Sequence, residues 1–144
     1  MARSVREVMT ENPLAISPMD PVVKAAKMMR DEDVGSLPVT EEGRLIGMLT
    51  DRDIATRAVA ENANLESVSV GDVASTGVIT AEPDSDLDEA LRLMAHHQVR
   101  RLPVVEGDRL VGILAQADIA HDEDHEKVGE TVEAISDPST AERR

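Results

Sequence analysis

A block of twenty residues, Gly35-Ser-Leu-Pro-Val-Thr-Glu-Glu-Gly-Arg-Leu-Ile-Gly-Met-Leu-Thr-Asp-Arg-Asp-Ile54, returns without a gap as Arg100-Arg-Leu-Pro-Val-Val-Glu-Gly-Asp-Arg-Leu-Val-Gly-Ile-Leu-Ala-Gln-Ala-Asp-Ile119, 65 positions on (100 − 35). The same offset runs back toward the N-terminus, pairing Val5, Val8, Pro18, Ala25, Met29 and Val34 with Val70, Val73, Pro83, Ala90, Met94 and Val99. Self-similarity at a fixed period constrains a chain more than any local propensity, because each copy must meet the same packing requirement. The copies span residues 5–60 and 70–120, with a linker at 61–69 and a tail at 121–144. Units of roughly 60 residues are marginal alone, so the two are expected to share one core.

Within the first copy, Val5, Val8 and Met9 mark a short lead-in helix over residues 4–10. Asn12-Pro13 then forces extended backbone through Ser17, because a residue before proline is pushed out of the helical region. Asp20-Pro21 predicts a helix start with Asp as N-cap and Pro at the first helical position. Val22, Ala25, Ala26 and Met29 follow at the spacing of one helix face, and Gly35 is expected to break the helix. Two strands, Leu37–Thr40 and Arg44–Leu49, are joined by a turn at Glu41-Glu42-Gly43. A second helix starts at Thr50 or Asp51 and runs to about Ala60.

The second copy repeats this order. Its lead-in is Val70–Ala74, its extended piece Val78–Ala81 and its helix cap Ser85. Leu87, Ala90, Leu91 and Met94 form the buried face, strands follow at Leu102–Val105 and Arg109–Leu114, and a helix begins at Gln116. Val128, Val132 and Ile135 predict one more amphipathic helix, with a frayed end beyond Asp137. The fold class is α/β (α+β): two small mixed sheets flanked by helices, packed about a pseudo-two-fold axis that creates two related clefts.

Composition narrows the function. The net charge of −14 opposes binding to nucleic acid or to an anionic membrane surface. Cysteine is absent, so there is no disulfide frame, no thiolate metal site and no cysteine nucleophile. Phe, Trp and Tyr are absent as well, so a planar ligand would lie against aliphatic and Met side chains. The N-terminus lacks the apolar run of a signal peptide and no stretch reaches the length of a membrane span. A cytoplasmic protein is expected. There is no glycine-rich phosphate loop, nucleophile elbow or metalloprotease helix, so no catalytic residue is assigned and an enzyme is not expected.

Three places could carry chemistry. Thr50-Asp51-Arg52-Asp53 lies where a strand gives way to a helix. It reads equally as a capping box and as a site where Thr50 and free amides meet a phosphate or ribose oxygen while Asp53 accepts from a diol. The second copy has Ala115-Gln116-Ala117-Asp118 there, losing the hydroxyl and keeping the acid. Arg100-Arg101, where the first copy has Gly35-Ser36, reads either as an exposed strand end paired with carboxylates or as a bidentate phosphate clamp. His121 and His125 stand at i, i+4 among carboxylates, a spacing that suits a metal ion, but no third ligand is evident and no metal site is assigned.

The doubled pattern of a Leu-Pro-Val strand, an apolar-Gly-apolar strand and Thr-x-x-Asp-Ile resembles a pair of CBS domains (named for cystathionine β-synthase), the two-copy unit called a Bateman module. The resemblance covers about residues 5–120, and Gly47-Met-Leu-Thr-Asp-Arg-Asp-Ile54 with His97-Gln-Val-Arg-Arg101 is most similar to short, stand-alone bacterial CBS-pair proteins. It implies a non-catalytic sensor of an adenosine-containing ligand (AMP, ADP or ATP, sometimes S-adenosylmethionine or a dinucleotide), with no cofactor required. In similar modules the Asp holds the ribose hydroxyls and the Thr lies near the ribose and α-phosphate, which here are Asp53 and Thr50. Met48 and the backbone at Leu14 and Ala15 would flank the adenine, and Arg100 and Arg101 of the partner copy would hold phosphate. The equivalent cleft at Asp118 lacks the Thr and the opposing positive charge, so one competent site per chain is expected. The resemblance further implies a homodimer and an effector protein outside the chain. Two other readings stay open: a ligand-free dimeric scaffold, and a metal-responsive protein using His121 and His125.

Overall fold

The computed structural model describes residues 3–61, 64–117 and 119. In chain order, a 3-10 turn at Val5–Glu7 leads to β1 (Thr10–Glu11), α1 (Val22–Glu32) and the hairpin of β2 (Ser36–Glu41) and β3 (Arg44–Thr50). Next come α2 (Asp51–Ile54), prolonged by a π turn at Ala55–Val59, a 3-10 turn at Leu65–Ser67 and α3 (Val70–Val73). The last elements are α4 (Leu87–His97) and the hairpin of β4 (Arg101–Glu106) and β5 (Arg109–Ala115). Gln116, Ala117 and Ile119 are helical, as the repeat requires. Asp118, His121, His125 and the helix expected around Val128–Ile135 lie outside the described residues. The fold is mixed α/β, and among the described residues no helix is long and apolar enough to cross a membrane.

The chain divides into two compact units that do not follow the order of the repeats. One holds residues 14–78 and the other joins the N-terminal segment, through Pro13, to residues from Ile79 onward. Each lead-in turn thus packs with the other copy's helix and hairpin. In the first unit Val70 donates its backbone N–H to Asp20 O (2.8 Å), Gly71 to Pro18 O (2.9 Å) and Val22 to Val68 O (2.9 Å). In the second, Val5 donates to Ser85 O (2.9 Å), Arg6 to Pro83 O (2.8 Å) and Leu87 to Arg3 O (2.8 Å). Buried apolar side chains gather into two clusters, one within each unit, where chain length alone suggests one. Ile16, Val22, Ala25, Met29, Leu37, Val39, Leu49, Ala58, Val70 and Val73 form the first. Val5, Val8, Ala81, Leu87, Ala90, Leu91, Met94, Leu102, Val104, Leu114 and Ile119 form the second. Each large aliphatic side chain removed from water contributes about 1.5–3 kcal/mol.

Both units contain the same antiparallel hairpin, flanked by bridging segments. β2 and β3 pair antiparallel, with Ser36 opposite Thr50 and Glu41 opposite Arg44. Ile16 bridges Val39 in parallel on one side, and Ser75 bridges Met48 antiparallel on the other. In the second unit β4 and β5 pair in the same register, Ala81 bridges Val104 in parallel, and β1 lies antiparallel to β5 with Thr10 opposite Ile113. The glycine of each apolar-Gly-apolar strand sits where the lead-in segment crosses. A Cβ built on Gly47 would stand 2.5 Å from the Ser75 carbonyl oxygen, and one on Gly112 would stand 2.6 Å from Met9 Sδ.

Helix ends differ from the sequence reading at several points. Pro21, not Asp20, is the N-cap of α1, and no side chain caps it. The Val22 amide is taken by the Val68 carbonyl, leaving the Asp20 carboxylate to accept from the Ser17 amide (3.2 Å) and to face Lys24 (3.4 Å). Asp86, not Ser85, caps α4, accepting from the Asp88 amide at 3.2 Å. α1 ends before Gly35, at Asp33, which is left-handed (φ 53°). Val34 then donates to the Met29 carbonyl (3.0 Å), the six-to-one bond of a Schellman motif. Gln98 and Val99 repeat this end in α4, with φ 54° and a 3.0 Å bond from Val99 to the Met94 carbonyl. The lead-in at residues 4–10 is a single 3-10 turn rather than a longer helix. Ala26, expected on the buried face of α1, is exposed and lines a shallow apolar depression of about 300 Å³ with Val22, Val23, Ile54 and Leu65, rimmed by Lys27 and Arg30.

Candidate functional site

The junction of β3 and α2 brings Thr50 and Asp53 together because the chain turns from extended backbone into a helix at Thr50 (φ −112°, ψ 161°). The Asp53 amide donates to Thr50 Oγ1 at 2.9 Å and the Thr50 amide donates to Asp53 Oδ2 at 3.0 Å. The capping box is complete. It uses one side of the carboxylate and leaves the other available, since an ionised carboxylate has roughly four lone-pair sites. Asp53 is 8% exposed and is the buried charged residue of the described core.

Two residues that sequence reasoning did not single out meet the remaining side. The Ser75 hydroxyl lies 3.4 Å from Oδ1 and 3.5 Å from Oδ2, long enough to be weak bonds. Arg57 Nε stands 4.0 Å from Oδ1, while Arg57 also donates to the Val73 carbonyl at 3.3 Å. Arg57 was findable, because a base four residues after an acid on a helix faces it. Ser75 carried a fainter signal: its counterpart across the repeat (75 − 65) is Thr10, so both copies hold a hydroxyl there.

Met48 lies two residues before Thr50 on β3 and is half-buried. It exchanges two backbone bonds with Ser75, both 2.9 Å. Leu14 and Ala15 precede Ile16, whose amide donates to the Pro38 carbonyl (3.0 Å). The parallel bridge at Ile16 runs them along β2 toward the hairpin end that holds Thr50. Leu14 is 46% exposed. Residues 14–78 therefore hold Leu14, Ala15, Met48, Thr50 and Asp53 in one compact unit.

Arg100 and Arg101 belong to the other unit. Arg101 opens β4 opposite Ala115, and the Arg100 carbonyl accepts from the Gln116 amide at 2.9 Å. Gly35 plays the same backbone part for Asp51, also at 2.9 Å. Neither guanidinium pairs with a carboxylate among the described residues. Asp118 lies outside the described residues, and among those described no group of three or more His, Asp or Glu side chains could hold a metal ion.

The chain is similar to known proteins over nearly its whole length. The CBS domain family matches residues 5–60 and again residues 70–123. The CBS domain-containing protein YhcV of Bacillus subtilis is 41% identical over 134 residues, covering 92% of this chain and 95% of that protein. Hypoxic response protein 1 of Mycobacterium tuberculosis is 34% identical over 136 residues, covering 94% of this chain and 95% of that protein. The crystal structure of Hypoxic Response Protein I with two coordinated zinc ions is similar with a TM-score of 0.77 at 34% identity, over 85% of this chain and 100% of that one. CBSX2 in complex with AMP is similar with a TM-score of 0.72 at 28% identity, over 82% and 93% of the two chains. Two matched repeats and relatives that share nearly its whole length show that this chain belongs to the CBS-domain family, as a tandem pair.

Proposed function

We propose that the chain is a non-catalytic regulatory module that binds an adenosine-containing ligand of the AMP, ADP or ATP class at Asp53. The observation that carries this is the Asp53 carboxylate: buried, held in place by the capping box, and with one oxygen met only by long contacts. A ribose diol offers donors for such an acceptor, and bonds to an ionised partner are about twice as strong as neutral ones. Thr50 flanks the ribose side, and Met48, Leu14 and Ala15 supply aliphatic surface for a base in a chain without aromatic rings. The AMP complex of a similar CBS protein supports the ligand class. Arg100 and Arg101 are assigned the phosphate on the sequence resemblance. Asp118 remains the weak or empty counterpart, because Ala115 and Gly35-Ser36 replace the hydroxyl and the positive charge.

The module acts in the cytoplasm as a homodimer that signals to a separate effector protein. The apolar depression on α1 and the exposed Val59 (56%) are surface such a dimer would cover. A ligand shifts a conformation only by binding its two states with different affinity, so the effector is expected to distinguish the loaded from the empty module.

Isothermal titration with AMP, ADP and ATP tests the reading. The expected result is saturable binding near one per chain, abolished by Asp53→Asn, which keeps an oxygen for the Thr50 amide but removes the charge. Binding at two equal sites, or binding untouched by Asp53→Asn, refutes it. A second reading has its own support, since the capping box accounts for Asp53 without any ligand. On that reading the protein is a dimeric scaffold, and the titrations show no heat while the dimer persists. A zinc titration, with His125→Ala as control, separates out a metal-responsive protein.

A further inference from the structure

Ser75 has a place in this site that the family pattern of residues does not assign to it. Its hydroxyl bisects the two oxygens of Asp53 at 3.4 and 3.5 Å. No other hydrogen bond of that hydroxyl is made among the described residues. The segment that carries Ser75 is pinned, because the Met48 and Ser75 backbones exchange bonds of 2.9 Å in both directions. Gly47 lets it approach: a Cβ there would meet the Ser75 carbonyl oxygen at 2.5 Å. Backbone geometry thus holds the Ser75 segment beside the carboxylate, within reach of its hydroxyl. The repeat places Thr10 at the same position in the other unit, opposite Ile113, the counterpart of Met48.

We propose that Ser75 is a specificity-determining residue that reads the ribose together with Asp53. The inference rests on the nucleotide reading above. A serine hydroxyl has one proton to donate and two lone pairs to accept with. Donating to Asp53, Ser75 still presents a lone pair toward a ligand. Asp53 then accepts from one hydroxyl of a vicinal diol and Ser75 accepts from the other. The Thr50 amide already engages Oδ2 of the carboxylate, so Oδ1 serves one hydroxyl and the Ser75 oxygen serves the other, and the pair favours both together. Removing a ligand hydroxyl leaves a buried acceptor without its donor, and it is this loss that gives polar sites their discrimination. Arg57 Nε stands 4.0 Å from Oδ1 of Asp53, the oxygen nearer the Ser75 hydroxyl.

The test is a cycle between a protein hydroxyl and a ligand hydroxyl. AMP, 2′-deoxy-AMP and 3′-deoxy-AMP are titrated into the wild-type chain and into Ser75→Ala. In the wild type, loss of either ligand hydroxyl is expected to weaken binding about tenfold. In Ser75→Ala, AMP weakens by a similar factor and one of the two deoxy penalties disappears, because its partner is gone. Ser75→Thr, which keeps the hydroxyl, restores that penalty and guards against a purely structural effect. Both penalties persisting at full size in Ser75→Ala would overturn the role of Ser75 while leaving the nucleotide reading intact. Absence of AMP binding in the wild type would overturn the nucleotide reading itself, and this inference with it.

Discussion

Replacing Gly47 by alanine should separate a packing constraint from a mere preference for a flexible residue. The new Cβ would begin 2.5 Å from the Ser75 carbonyl oxygen, with the Ser75 carbonyl carbon at 3.4 Å behind it. That obstacle is backbone and cannot swing aside. Reaching ordinary contact at 3.4 Å requires the Ser75 segment to retreat by 0.9 Å (3.4 − 2.5). The two Met48–Ser75 bonds, now 2.9 Å, would be stretched beyond useful length. Each is worth about 0.5–1.5 kcal/mol net, and alanine returns about 0.4–1 kcal/mol by restricting the unfolded chain. At the middle of these ranges the balance is about 1–2 kcal/mol of destabilisation, in line with the usual cost of overpacking. At about 2–4 °C per kcal/mol for a chain of this size, the melting temperature should fall by about 2–8 °C. Urea unfolding should show a lower midpoint at unchanged slope. Gly112→Ala is the internal comparison: its nearest obstacle is the Met9 side chain, at 2.6 Å, which can turn away, and the backbone oxygen of Thr10 stands at 3.0 Å where that of Ser75 stands at 2.5 Å. It should cost less than Gly47→Ala, about 1 kcal/mol at most. Equal costs at the two glycines, or a neutral Gly47→Ala, would refute the claim that the Ser75 backbone dictates the glycine.

Two further substitutions probe neighbouring features. Thr50→Ala removes the hydroxyl that caps α2 and should cost about 1 kcal/mol in chemical denaturation, with Thr50→Ser close to neutral. Glu42 holds φ 53° in the β2–β3 turn where its counterpart is Gly107 at φ 67°; Glu42→Gly should therefore raise stability by about 0.5–1 kcal/mol, read as a higher urea midpoint.

Much of this protein is legible in its amino-acid sequence. The hairpins lie within one or two residues of their predicted ends, because alternating apolar positions and a turn glycine declare a strand pair locally. All four positions expected on the buried face of α4 are buried. On α1, Ala26 departs from expectation because small apolar residues fit a rim as well as a core. The helix caps expected at Asp20 and Ser85 fail for a sharper reason. The first amides of α1 and α4 are taken by the backbone carbonyls of Val68 and Arg3, and nothing within reach of the local sequence announces a distant carbonyl. Asp53 stands out through its motif and its persistence in both copies. Ser75 cannot be tied to it in the same way, because 22 residues separate them and no pattern links the two.

Two equivalent repeats, their strands and helices, and a helix beginning at Thr50 or Asp51 all follow from the sequence without further information. Those are matters of periodicity, backbone allowance and capping chemistry, each settled over a few residues. Which copy each lead-in turn packs with is a tertiary matter, because a repeat of 65 residues makes the two choices look identical in sequence. So is the burial of the Asp53 carboxylate against a serine from that borrowed segment. Burial and hydrogen-bond partners depend on what distant backbone arrives at a side chain, and that is fixed only when the whole unit closes around it.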